Sequence, residues 1–151
     1  TQLYTHLSTQ ILGLATSIVH WLPATENGWG RNWKTPERTH YIAYALEGLL
    51  NQGKESIVAN CLSWSFIATK ETGLYPYWVS SWETGSVGYC SVGTAQMALI
   101  AARLEFRNSA TELLKGVEKC ISPGGEIRES LGHSQTITWA AKYYLDARLL
   151  L

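Results

Sequence analysis

Lys142 and Asp146 stand four residues apart in the apolar run Trp139-Ala140-Ala141-Lys142-Tyr143-Tyr144-Leu145-Asp146-Ala147, and Asp146 is the only aspartate in the chain. On a helix this spacing puts both charges on one face, among aromatic and alanine side chains. A segment so apolar is ill suited to a surface, and two charges make it ill suited to a plain core. It suggests the wall of a cavity, with Lys142 holding a substrate carboxylate or phosphate and Asp146 beside it. The plain alternative is an i,i+4 salt bridge worth about 0.2–0.5 kcal/mol.

His40 opens another helical stretch, one turn before Tyr44 and close to Glu37. An imidazole titrating near neutral pH suits a general acid or base, or else a packing role. Glu37 and Glu126, with Glu83 and Glu129, are carboxylates in or beside loops; glycoside hydrolysis needs two such groups roughly 5–10 Å apart. His133 lies in a loop where it could meet Glu126 or Arg128. Cys90 begins a helix, where a thiol can have a lowered pKa and act as a nucleophile or ligand, or be an inert buried cysteine. Gln96, a turn and a half further on, could bond a sugar hydroxyl or be a satisfied buried amide. Trp29, Trp33, Tyr75, Tyr77, Trp78, Trp82, Tyr89 and Trp139 lie in or beside loops. Aromatic rings near Asn, Gln, Glu and Arg suit stacking on sugar faces, and Trp29, Trp78 and Trp139 are the leading platforms.

A single aspartate disfavours the aspartate-rich motifs of cationic cyclisation and of diphosphate–magnesium binding. No glycine-rich phosphate loop, serine nucleophile elbow or His-Glu zinc helix is present, so no cofactor or metal is expected.

The chain has 151 residues, 46% apolar and only 16% charged, with seven Trp and eight Tyr. Charge well below the usual ~25% implies a small polar surface or surface hidden against something else. A formal net charge of zero offers no field for nucleic acid or acidic membranes. No apolar run approaches the ~20 residues of a membrane span, and no signal peptide is visible near the start. Three irregularly spaced cysteines, Cys61, Cys90 and Cys120, fit reduced thiols and a cytoplasmic location better than a disulfide framework.

Six helical stretches are expected to position these groups. The first runs from about Gln2 to Trp21, with Leu3, Leu7, Ile11, Leu14, Ile18 and Trp21 at steps of three and four. After a loop from Pro23 to Pro36 come a second helix, Glu37 to Asn51, capped at Gly53, and a third, Glu55 to Thr69. A long loop from Glu71 to Cys90 leads to a fourth helix, Gly93 to Phe106, apolar all round. The fifth, Ser109 to Cys120, is amphipathic, and Ser109 with Glu112 reads as a capping box. The loop Ile121 to Ser134 precedes the sixth. Strand signals are thin, so the class is all-α. The second, fourth and sixth helices read as buried and the third and fifth as amphipathic, a pattern of α-hairpins with buried helices inside. The long loops all precede buried helices and should gather at one end.

Four segments bring a resemblance. Glu26-Asn27-Gly28-Trp29, Thr39-His40-Tyr41-Ile42-Ala43-Tyr44 running on to Glu47-Gly48-Leu49-Leu50, Cys90 to Ala98 with Arg103-Leu104, and Gly124-Gly125-Glu126-Ile127 followed by Trp139 to Ala147 resemble the α/α-toroid proteins of bacterial polysaccharide-biosynthesis clusters. Those have the terpenoid-cyclase and prenyltransferase-like fold. The match is to the carboxy-terminal half, and His133-Ser134-Gln135 departs from it. The resemblance implies a single domain over 1–151, half of an (α/α)6 toroid, whose apolar flanks call for a second copy or a chain supplying the other half.

The residues and the resemblance together point to binding or modification of a bacterial polysaccharide or its sugar precursor in a pocket at the loop end. Glu37, His40, Glu126, Lys142 and Asp146 are the polar actors, and Trp29, Tyr44, Trp78, Cys90, Gln96, His133 and Trp139 the binding groups. If the protein is an enzyme, acid–base work on a glycosidic bond or uronate is the natural class. One rival is a non-catalytic assembly scaffold. Another is a zinc-dependent enzyme using Cys90, because Gly-Tyr-Cys before an Ala-rich helix resembles a zinc element of lanthionine cyclases, a further α/α toroid.

Overall fold

The computed structural model describes residues 32–82, 88–131 and 134–151. The expected first helix, the loop carrying Trp29, and Glu83 and His133 lie outside the described residues. Five helices and a two-stranded antiparallel sheet follow one another in the order β1 (Asn32–Arg38), α1 (Thr39–Asn51), α2 (Glu55–Ser65), β2 (Trp78–Ser81), α3 (Ser91–Arg103), α4 (Arg107–Glu118) and α5 (Thr138–Leu150). A 3₁₀ turn, Phe66–Thr69, continues α2. The chain is thus predominantly helical, and no described helix is long and apolar enough to cross a membrane.

The small sheet leaves the expected all-α class standing but moves one helix boundary. Glu37 pairs with Val79 and Arg38 with Trp78, so the residues just after Pro36 are held extended and α1 starts at Thr39 rather than Glu37. The start of α1 has no side-chain cap and is tied instead to the backbone just before β2: the Thr39 amide donates to Tyr77 O at 3.1 Å, and its hydroxyl to Pro76 O. At its other end Gly53, with φ +73, lets the Gly53 and Lys54 amides reach Leu50 O and Leu49 O.

Every residue of α3 from Ser91 to Ala102 is buried. The reason is its place: α1, α4 and α5 all pack around it. Its small residues, among them Gly93, Ala95, Ala98, Ala101 and Ala102, allow neighbours to come close. Cys90 caps it, its Sγ accepting from the Gly93 amide at 3.3 Å. On α4, Ala110, Leu113, Leu114 and Val117 face the core while Glu112, Lys115 and Glu118 face water. That helix begins at Arg107 with no side-chain cap, so the Ser109–Glu112 capping box does not form; Glu112 pairs with Lys115 at 2.7 Å instead. The sixth expected helix, α5, is the least buried of the three that read as core. It turns only Ala140, Tyr143 and Ala147 inward.

Two of the three expected long loops, Glu71 to Cys90 and Ile121 to Ser134, meet at the start of α3; most of the loop from Pro23 to Pro36 lies outside the described residues. The Ser91 amide donates to Glu129 O at 3.0 Å and its hydroxyl to Arg128 O at 2.6 Å, while the Cys90 amide reaches Tyr75 O at 2.9 Å. At the same end a Cβ on Gly93 would lie 2.9 Å from Thr39 Cγ2 and 3.0 Å from the His40 backbone nitrogen. Gly93→Ala must therefore push the starts of α1 and α3 apart. We expect it to destabilise the fold by about 1–3 kcal/mol in urea unfolding, whereas Gly48→Ala, where a Cβ meets nothing within 4 Å, should leave stability unchanged or slightly raised.

Candidate functional site

Along α1, His40, Tyr44 and Glu47 fall at i, i+4 and i+7 and make a polar stripe on an otherwise apolar helix. Gln96 of α3 and Tyr143 of α5 meet it. Gln96 is fully buried, and its Nε2 donates to Glu47 Oε2 at 2.8 Å. The Tyr44 and Tyr143 rings stand edge to face at 6.4 Å, and the His40 ring lies 6.1 Å from that of Tyr44. Burial, then the Glu47 carboxylate, then the Tyr44 hydroxyl raise the Tyr143 phenol above its ordinary pKa. Two buried polar atoms on this seam have no hydrogen-bond partner, His40 Nδ1 and Gln96 Oε1.

Where the seam meets the loops, Arg38 forms a cationic rim. Its guanidinium lies 5.0 Å from the centre of the Trp78 ring, 5.3 Å from that of Tyr77 and 5.9 Å from that of Tyr41. The Tyr77 hydroxyl donates to Glu129 Oε1 at 2.9 Å. Trp78 and Tyr41 are both exposed, offering ring surface to a ligand.

Among the residues read from sequence, His40, Tyr44 and Gln96 come together on the seam. Trp78 stands at its rim and Glu37 on the adjoining strand. Cys90 is at the same end but is buried, and burial pushes its thiol up to about 11 against the lowering by the Gly93 amide. The low thiol pKa expected at a helix start is absent, because desolvation outweighs the amide. Cys61, deeper still, is pushed up to about 12. Glu126 does not join the seam: its carboxylate bonds Ser122 in its own exposed turn, which lowers its pKa. Lys142 and Asp146 form the plain ion pair at 2.7 Å, each about half exposed. Lys142 Nζ also sits 4.6 Å from the centre of the Tyr143 ring, at the edge of the seam. Trp139 is exposed at the start of α5. Among the described residues, no three of His, Cys, Asp and Glu converge to hold a metal ion.

Arg38, Glu47 and Tyr143 are the members that sequence reasoning gave no site role, and Glu129 appeared there only as one of four loop carboxylates. Glu47 carried a signal, a lone charge seven residues after His40 in an apolar helix. Glu129 and Arg38 carried none, since their place depends on loops meeting across the fold.

No protein-family model, curated protein or solved structure matches the chain.

Burial first, and the Arg38 cation second, lower the His40 pKa from its ordinary 6.5, with Glu129 opposing. The folded protein thus takes up the imidazole proton less readily than the unfolded chain. Stability linked to this group is whole above the ordinary value and falls as pH drops below about 6.5 toward the lowered folded value. His40→Gln should flatten that part of the urea-stability profile. An identical slope in wild type and variant would show that His40 is not shielded in this way.

Proposed function

We propose that the chain binds a saccharide, a polysaccharide segment or its sugar precursor, in the seam between α1, α3 and α5. The observation that carries this reading is the pair of buried, unpartnered polar atoms, His40 Nδ1 and Gln96 Oε1, on one polar stripe. Leaving such an atom unpaired costs about 1–3 kcal/mol, which a ligand hydroxyl would offset on binding. The Glu47 carboxylate and the Tyr44 hydroxyl add acceptors and a donor, and the exposed rings of Tyr41 and Trp78 supply faces for stacking. We read α1, α3 and α5, with α2 and α4 outside them, as half of an (α/α)6 toroid whose inner wall this seam forms.

Binding is favoured over catalysis by the state of the carboxylates. Glu126 is held by Ser122 and Glu47 by Gln96, so neither stands free beside His40 as a paired acid and base. Cys90, protonated and committed to capping α3, lends no support to the zinc reading.

Saturation-transfer NMR and calorimetry with glucose, galactose, N-acetylglucosamine, glucuronate and short oligosaccharides test the proposal. At least one should bind, and Tyr44→Ala and Glu47→Gln should each weaken it by roughly 10-fold or more while thermal unfolding stays near wild type. Binding untouched by both substitutions, or no binding across the panel, would favour the scaffold instead.

A further inference from the structure

Opposite its buried side, α5 presents a stripe on which Trp139, Lys142, Leu145 and Leu149 recur at steps of three and four, with Asp146 alongside. Trp139 is 64% exposed, Leu145 59% and Leu149 84%. Scattered apolar residues on a surface are ordinary, but three large ones on one helical stripe form a continuous patch of the kind that marks an interaction site.

The order of residues along this stripe says what would cover it. Trp139 and Leu149 lie equally far on either side of Tyr144, and so do Lys142 and Asp146. A second α5 laid antiparallel across the first, with a two-fold axis at the level of Tyr144, sets Leu149 of one copy against Trp139 of the other at both ends. It also sets Lys142 against Asp146 of the other copy, twice. The face is complementary to itself in shape class and in charge, as an isologous interface requires. Within one chain Lys142 already bonds Asp146 at 2.7 Å with both groups half exposed. Pairing therefore brings together two dipolar pairs in opposite orientation and makes a four-charge cluster of alternating sign. The other helices offer no comparable stripe among the described residues, since exposed large apolar residues elsewhere come singly or as the Tyr41–Tyr44 pair at the seam.

We propose that α5 is the contact of a symmetric antiparallel homodimer, with Trp139, Leu145 and Leu149 as its apolar core and Lys142 and Asp146 exchanging partners between copies. This is independent of what the seam binds.

Sedimentation velocity on the full chain, from about 1 to 100 µM, tests it. The native chain should populate a dimer in this range. Leu149→Glu, at the most exposed position, should weaken association ~100-fold with an unchanged far-ultraviolet spectrum. Lys142→Glu puts like charges across the contact, and so does Asp146→Lys; each alone should weaken the dimer. An equimolar mixture of those two variants restores opposite charges at both crossings and should recover the dimer as a heterodimer. A native chain that stays monomeric at 100 µM overturns the proposal. So does a dimer that ignores Leu149→Glu, or a mixture that shows no recovery, either of which places association on another surface.

Discussion

Where α1 and α3 begin, the missing side chain of Gly93 decides how closely two helices approach, and the rest of the molecule's loop end is built around that distance. A Cβ there would meet Thr39 Cγ2 and the His40 amide at about van der Waals overlap. Because it is absent, the His40 and Gly93 amides both face the Cys90 sulfur. The same closeness lets Thr39 hold Pro76 and Tyr77 through its hydroxyl and amide, which brings β2 over the start of α1. Arg38 and Trp78 meet only because that strand is there. Two helix starts, one sheet and the Glu129 loop are thus tied at a single crossing.

The same closeness shapes what the core can tolerate. Among the buried residues of α3 the only long polar side chain is Gln96, and it costs stability unless its amide is bonded. Glu47 meets half of that need. The other half, the amide oxygen, is buried with no hydrogen-bond partner. A core selected for stability alone would carry an apolar residue there. The polar stripe is a departure from good packing, and departures of that kind concentrate where a protein binds.

How much of this was legible follows the range of each interaction. Periodicity within a segment is local, so the helices and the burial of α3 could be read directly, along with the glycine that ends α1. Boundaries failed where a partner in space overruled the local pattern. Glu37 and Arg38 were drawn into a strand by Val79 and Trp78. Ser109 lost its capping role because the chain had already turned helical at Arg107. α5 misled in the other sense: its composition resembles that of a buried helix, yet only one side has a neighbour. For the site, His40, Tyr44 and Gln96 were visible as polar residues on apolar helices. Glu129 was indistinguishable from any loop carboxylate until the hydrogen bond from Tyr77 placed it. Cys90 shows a rule of sign reversed by magnitude: a helix start lowers a thiol pKa, burial raises it, and here burial wins.

The charge at the rim bears on what the seam can recognise. Arg38 is held over three aromatic rings, and its positive charge acts on His40 against the opposing Glu129 carboxylate. Together with burial it keeps the imidazole neutral at physiological pH. A neutral imidazole has one nitrogen that donates and one that accepts, whereas the protonated ring only donates. Along the same seam Gln96 Oε1 is an acceptor, and the Tyr44 hydroxyl can do both. A wall that mixes donors and acceptors at this spacing matches groups that themselves do both, and the hydroxyl is the commonest of these. A seam lined by cations would instead select an anion, and one lined by carboxylates a cation or metal. Under the proposed reading, a stripe that both donates and accepts is suited to a polyhydroxylated ligand.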